Sequence, residues 1–528
     1  MDRGKRFTRK PSGVETAILI FSISMILLVY WRWAMFGIIS WGDWHYVYSS
    51  TFKDFFPSVW VADPGLGNYQ LVAIHLFPVL MLQGLFSKIL HLDYTIIERL
   101  LWFYPFVFLS ILSPWYLACT LGLRRLGKSA VILVFGLNSY VFFLASVMTL
   151  GVATVLVPLV FAFFIRIIQK PVFSRGILFA LALTLQMIYE LRVAYVSFIF
   201  CALYLLYILI CERKHNLLPL IRTLVLSSML IAFLNAFWLM PFLLQNFGGT
   251  TQALLPAEYI TGNALGGLSI MTLLHSLGTH VPWWGKPDII NPVHPQFLIL
   301  PIVAFSALIF CPKERKVLFF ALTALIFSFL VKGANPPFGG INTWFFLHFP
   351  GFFMFRTPGS WYPPLIISYA VLVAYLVEYI ASRKLPARIN NRVNHCLSLH
   401  PHLFKTGLII AGAGIFFLIF PVQPLSVHRF IHNLYDNPED VEIHYEKIYI
   451  PHQVPHKYFD LERFLHKQPG FFRILWFPNV YRFGYHSSQH PGFSGINLSE
   501  SLLPFCSGNP REWIYRFSYI SHSSILLP

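Results

Sequence analysis

The chain has 528 residues and a formal net charge of +17, yet only 12% of its residues are charged, while 56% are hydrophobic and 17% aromatic. Its mean hydropathy is +0.62. Soluble domains carry about 25% charged residues, so this composition excludes a water-soluble enzyme and indicates an integral membrane protein. The positive balance is not a nucleic-acid signal, because the basic residues fall in short loops between apolar runs, where they orient spans.

A helix needs roughly 20 apolar residues to cross the hydrocarbon, and the chain offers about eleven such runs. Lipid-facing backbone must satisfy itself, so these runs should be α-helices. The first is Val14 to Ile39, behind a basic N-terminus with Arg3, Lys5, Arg6, Arg9 and Lys10. It has no small-residue cleavage site and reads as an uncleaved span, not a signal peptide. The N-terminus is therefore expected in the cytoplasm, with the loop from Ser40 to Gln70 outside.

Further spans are expected at 100–121, 129–146, 150–168, 176–190, 193–211, 217–244, 296–311, 317–331, 362–381 and 405–421. Arg124-Arg125 with Lys128, Arg166–Arg175, Arg213-Lys214, Lys313–Lys316 and Arg383–Arg392 form the basic loops between them. All of these loops reach the inner side only if 71–90 does not cross. That segment, with His75, Pro78 and Gln83, is read as a juxtamembrane or re-entrant helix on the outer face. The alternative keeps parity by letting it cross together with another weak segment.

The expected organisation is an all-α multi-pass domain over 1–421 and a small extracytoplasmic α/β domain over 422–528. The chain's last residues carry no closing feature, so it reads as a shortened form of something longer. Six cysteines are scattered, with Cys506 alone in the tail, so no disulfide forms within the tail. No GxxxxGK[ST], HExxH or CxxC motif is present, which removes support for an ATP-driven pump or a zinc enzyme.

The candidate chemistry gathers in the outer loops. Trp41-Gly42-Asp43-Trp44-His45 follows the first span directly. A carboxylate at the membrane face can act as a base for an acceptor hydroxyl, so Asp43 is the candidate catalytic residue. Trp44, His45 and Trp60 are candidate substrate contacts in the same loop. Asp54 and Asp63 lie in turn-like settings, where Asp commonly serves backbone geometry. Glu190 and Arg192 sit in a tight hairpin between two apolar runs. Ionisable groups at membrane depth cost about 2.5–3.5 kcal/mol each on insertion scales, so they face a cavity or each other. Arg356 lies in an aromatic turn, Phe352 to Trp361, and arginine suits bidentate phosphate binding. Lys332 supplies a second charge nearby. His275 and His280 are five apart and do not make a convincing metal pair.

The layout resembles the GT-C superfamily of membrane glycosyltransferases. It has a first span, an outer loop opening with Gly42-Asp43, then Trp60 with Gly65-Leu66-Gly67, many spans, and a late Phe355-Arg356-x-Pro358 element. It is similar above all to the YfhO-type and arabinofuranosyltransferase-like branches. The resemblance implies transfer of a sugar from a polyprenyl-phosphate-linked donor to a glycan, lipid or protein acceptor on the outer side. It maps the catalytic acid of the first outer loop onto Asp43 and the late arginine onto Arg356, with a carrier-phosphate role. A divalent metal is compatible with this chemistry, but no residue pattern requires one. The rivals are a polysaccharide polymerase or ligase, a lipid-linked-substrate transporter or flippase, and an inactive scaffold. The transporter would spread charges along several spans and show internal repeats, whereas here charges cluster at one face.

Overall fold

The computed structural model describes residues 13–40, 60–61, 68–69, 71–145, 147–211, 217–247, 268, 271–279 and 295–382, with a few positions between 451 and 467. Asp43, Trp44, His45, His280 and the 405–421 segment lie outside these residues. So do the side chain of Trp60 and nearly all of the tail expected to be α/β. The chain forms two compact units, one of Met1–Trp31, Tyr104–Ala145 and Thr149–Leu434, the other of Arg32–Phe103, Ser146–Met148 and Tyr435–Pro528.

The first unit is helical. Among the described residues, five helices are long and apolar enough to cross a membrane: Tyr94–Leu121, Met148–Gln169, Leu191–Cys211, Leu217–Leu234 and Pro358–Ser382. Shorter apolar helices Gly13–Val29, Phe173–Tyr189 and Ile299–Phe310 accompany them. The chain is an integral membrane protein. Its core is aromatic: Phe161 stacks on Phe200 with centroids 3.8 Å apart, and Tyr204 and Phe320 meet Phe161 edge-on. These rings come from helices Met148–Gln169, Leu191–Cys211 and Arg315–Val331. In lipid, where chains gain little from hiding apolar surface, such packing carries helix association.

The described basic loops, at 124–128, 166–175 and 313–316, gather at one end of this unit. Arg125 bonds to Thr16 near the start of helix 13–29. The backbone N–H of Arg124 donates to Glu378, near the end of helix 358–382. Lys316 donates to the carbonyl of Leu121 and Arg315 to that of Cys211, each at 3.0 Å. Arg166 bonds to Tyr116, and Arg175 donates to the Arg166 carbonyl. Gly127 makes this end compact, since a Cβ there would lie 2.4 Å from the Glu378 carboxylate.

Three expected spans are broken. The run from Val14 to Ile39 is helical only to Val29, then turns through a 3-10 segment, Trp31–Ala34. The 129–146 run divides at Leu137-Asn138 into Arg125–Gly136 and Ser139–Leu144, and the Asn138 side chain caps the second helix. The 217–244 run divides at Asn235, whose side chain donates to Thr184 Oγ1 at 3.1 Å and accepts from Trp238 Nε1 at 2.9 Å. In the last two cases a polar side chain within an apolar run finds partners that a continuous helix would deny it. Helix 94–121 begins earlier than expected, with Asp93 accepting from the Thr95 N–H at 2.9 Å as its N-cap.

In the second unit, Trp60–Val61 pairs antiparallel with Asn68–Tyr69, with Trp60 opposite Tyr69. The 71–90 segment is a 3-10 turn, Leu71–Leu76, leading into helix Phe77–Leu90, which ends at His91 in the left-handed conformation.

Candidate functional site

The end of the first unit away from the basic loops collects most of the described sequence-predicted residues. Glu190 and Arg192 form the hairpin between helices 173–189 and 191–211. Glu190 has extended backbone, its carbonyl accepts the first helical bond from Ala194 at 3.2 Å, and its carboxylate approaches the Arg192 N–H at 3.4 Å. It thus ends one helix and caps the next. The guanidinium lies bidentate on the carboxylate, Nε to Oε1 at 2.8 Å and Nη2 to Oε2 at 2.9 Å. Fork-to-fork pairs of this kind are oriented as well as strong. The Arg192 side chain keeps 36% of its exposure, against 12% for Glu190. It sits in the first turn of its helix, where the backbone dipole favours an anion. Tyr140 lies close enough to this pair to interact electrostatically with both members.

Tyr195, one turn further along, carries the 352–361 segment. Its hydroxyl donates to the Pro350 carbonyl at 3.0 Å, and its ring packs on Phe355 and Trp361. Phe355 and Trp361 are nearly fully buried, with centroids 4.2 Å apart. Arg356 between them is exposed. The aromatic residues of Phe352 to Trp361 are therefore an anchor, and the arginine is the group they present. Tyr362 completes the floor, donating to the His275 carbonyl at 3.0 Å and packing its ring, tilted, on Tyr140 with centroids 4.6 Å apart.

Lys332 is turned inward. It is fully buried, donates to the carbonyls of Asn335 at 2.8 Å and Gly333 at 3.3 Å, and lies 4.3 Å over the Phe329 ring. Burial lowers its pKa from the ordinary lysine value. Its ammonium is spent on the turn that precedes the 352–361 segment. His275 likewise serves its own helix, in a capping box with Thr272 whose side chains lie 2.7 Å apart. Helix Gly339–His348 leaves Ile341, Trp344 and Leu347 exposed on one side, as a helix lying in the membrane interface does.

The Lys332 turn depends on Gly333, at φ +60°, where an added Cβ would meet the Leu268 carbonyl oxygen at 2.0 Å. Gly333→Ala should therefore be among the most damaging single-methyl changes in the chain. The left-handed backbone alone costs roughly 1–2 kcal/mol, and the Ala334-to-Leu268 bond of 2.9 Å would have to break. A lower melting midpoint in detergent, by several degrees against wild type, is the expected reading. An unchanged midpoint would show that the turn yields freely.

The sequence reading missed Glu98 and Arg99, both in the second unit. Glu98 is fully buried and accepts from the backbone N–H groups of Ile39 at 2.8 Å and Ser40 at 3.0 Å. Arg99 pairs with it at 3.2 Å and donates to the carbonyls of Trp33 at 2.7 Å and Met35 at 2.5 Å. Removing one member of a buried pair costs about 3–5 kcal/mol, because the other is left uncompensated. The available signal was the Glu-Arg dipeptide inside an apolar run, which membrane depth tolerates only with partners. Among the described residues no three His, Cys, Asp or Glu side chains gather as a metal site; the acids at 43, 54 and 63 lie outside them.

No protein-family profile and no curated protein sequence matches the chain. Among solved structures, it is similar to the arabinofuranosyltransferase AftD from Mycobacteria, at 13% identity and a TM-score of 0.59. The match covers 93% of this chain and 31% of that one, so the chain spans about a third of the relative's length. It also matches the oligosaccharyltransferase AglB of Archaeoglobus fulgidus, solved with an inhibitory peptide and a dolichol-phosphate, at 10% identity and a TM-score of 0.44. That match covers 87% of this chain and 58% of the other, and its score adds nothing to the fold assignment. The likeness to AftD is one of fold, and at that level it agrees with the arabinofuranosyltransferase-like resemblance read from the sequence.

Proposed function

We propose that the protein is a membrane glycosyltransferase that moves a sugar from a polyprenyl-phosphate-linked donor to a glycan, lipid or protein acceptor on the extracytoplasmic face. The observation that carries this reading is one combination. A fold like that of a membrane arabinofuranosyltransferase brings two solvent-reaching arginines, 192 and 356, to the end of the helical unit away from the basic loops. In this reading the basic end is cytoplasmic, about eleven spans cross the bilayer, and residues 422–528 form a small external α/β domain.

The reaction needs three parts. Asp43 takes the proton of the acceptor hydroxyl. The acceptor oxygen attacks the anomeric carbon, and the bond from that carbon to the phosphate oxygen breaks with inversion. The electron pair leaves on the polyprenyl phosphate, whose developing charge Arg356 and Arg192 stabilise. Fixed cations aimed at a leaving phosphate act more strongly there than in water. Glu190 holds Arg192 by Nε and Nη2, leaving Nη1 for the phosphate. Trp44, His45 and Trp60 supply contacts to the sugar or acceptor, and the Lys332 turn braces the Arg356 segment.

The test is transfer of radiolabelled sugar in membranes containing the protein, across a panel of polyprenyl-phosphate donors that includes arabinofuranose. Transfer above that of membranes without the protein supports the reading. Folded, abundant protein that transfers from no donor in the panel counts against it.

A further inference from the structure

The turn and helix that lead to Arg356 carry their polarity inside out. Between Lys332 and Arg356 the only ionisable side chain is His348. Helix Gly339–His348 buries Asn342 and Phe346, four apart on one side. The opposite side exposes Ile341, Trp344 and Leu347, and the exposed rings of Phe338 and Phe349 flank it. In water the arrangement would be reversed, because apolar surface left exposed costs about 25 cal/mol per Å². An apolar face of this kind marks a membrane or protein contact.

Three observations identify the occupant of this face as lipid. First, the face continues the membrane surface of the protein. Helix Arg315–Val331, which leads into the Lys332 turn, exposes Leu318, Leu322, Leu325 and Ile326 along its length. Second, helix 339–348 is fixed to the end of that span. The Asn342 amide donates to the Phe329 carbonyl at 3.1 Å and to the Gly333 carbonyl at 2.6 Å, so the apolar side is turned outward. Third, the helix has 10 residues. That is about 15 Å of α-helix, half the hydrocarbon thickness, so it cannot cross and lies at the membrane face. Trp344, with His348 stacked on it at 5.1 Å, has the amphipathic ring that gathers at headgroup level.

We propose that helix 339–348 is embedded in the lipid leaflet at the end away from the basic loops, and that it sets the depth of Arg356. The link is a row of rings. Phe345 stacks on Phe352 at 5.5 Å, Phe349 meets Phe352 edge-on at 6.3 Å, and Phe352 packs on Phe355 at 5.7 Å. Phe352 and Phe355 are buried, and Arg356 follows them, exposed. The inference rests on the reading of Arg356 as the contact for the carrier phosphate. A polyprenyl phosphate keeps its chain in hydrocarbon and its phosphate at headgroup level. An arginine held at that level meets it by lateral diffusion within the leaflet. Drawing the chain into water instead would cost about 0.8 kcal/mol per CH₂.

The experiment has two readouts. The first needs no activity. A spin label is attached at Ile341→Cys, Trp344→Cys or Leu347→Cys in the chain with its six native cysteines replaced, reconstituted in phosphatidylcholine vesicles. Lys313→Cys, exposed in a basic loop, is the control. Collision with oxygen, which concentrates in lipid, should exceed collision with a water-soluble nickel chelate several-fold at 341, 344 and 347, with the reverse at 313. Dominant nickel collisions at 344 and 347 mean a water-facing helix, and shielding from both agents means a protein partner or a second copy; either overturns the proposal. The second readout is transfer by Leu347→Asp from two donors, one long-chain and held in the vesicles, the other short-chain and water-soluble. Depth control predicts a several-fold higher KM for the long-chain donor at unchanged kcat, with the short-chain donor unaffected. An equal change with both donors overturns it. If wild type transfers from neither donor, the glycosyltransferase reading fails, and the collision data alone decide whether the helix is embedded. Should Leu347→Asp not be recovered folded, Ile341→Asp on the same side carries the second measurement.

Discussion

Asp43→Asn should reduce sugar transfer by about 10²–10⁴-fold, the range over which a positioned general base acts. The asparagine matches the carboxylate in size and can still accept a hydrogen bond, but it cannot take the acceptor's proton. Donor binding should therefore persist, and the loss should fall on kcat. The assay is initial-rate transfer of labelled sugar, in membranes matched for protein by immunoblot. Asp54→Asn and Asp63→Asn, changed in the same loop, should stay within a few-fold of wild type. If all three variants behave alike, Asp43 holds the loop and does not act on the acceptor.

The second large effect belongs to the arginines. Hydrogen bonds to charged groups contribute about 1.5–3 kcal/mol each, and 1.36 kcal/mol is tenfold in rate. Arg192→Ala and Arg356→Ala should each lower kcat/KM for the lipid-linked donor by roughly 10- to 100-fold. The two differ in what else they disturb. Arg356 is exposed, so its removal should leave thermal stability unchanged. Arg192 is bidentate on Glu190, which is 12% exposed, so its removal also strands a carboxylate and should lower the melting midpoint. Glu190→Gln separates these effects. If Arg192 serves the donor phosphate, Glu190→Gln keeps most transfer while Arg192→Ala does not. Equal losses of transfer and stability in both variants would make the pair a hairpin brace only.

Much of this protein was legible before any fold was known, because its chemistry is local. Hydropathy counts residues within a span length, and the bilayer demands helices of any such run. The basic loops fall at alternate ends of successive runs, and the fold gathers the described ones, at 124–128, 166–175 and 313–316, at one end. The Glu190–Arg192 hairpin was legible for the same reason, since two opposite charges two residues apart between apolar runs have little choice but each other.

What only the tertiary structure decided has partners distant in sequence. The apolar run from Val14 to Ile39 gives no sign that its last third leaves the helix. That choice depends on Glu98 and Arg99, more than fifty residues later, which satisfy the backbone that a helix would otherwise satisfy itself. Asn138 and Asn235 break their runs because Thr279 and Thr184 stand ready to receive their side-chain amides. Lys332 reads as a free cation at a membrane face until the turn around Gly333 closes carbonyls over it, and nothing in the sequence marks His275 as the partner of Thr272 in a helix cap. Composition and periodicity sum over neighbours along the chain, so they determine that this protein is a bundle of membrane helices with a polar outer face. Which charges stay exposed for chemistry and which are spent on the backbone is set by contacts across the fold, and no local sum contains those.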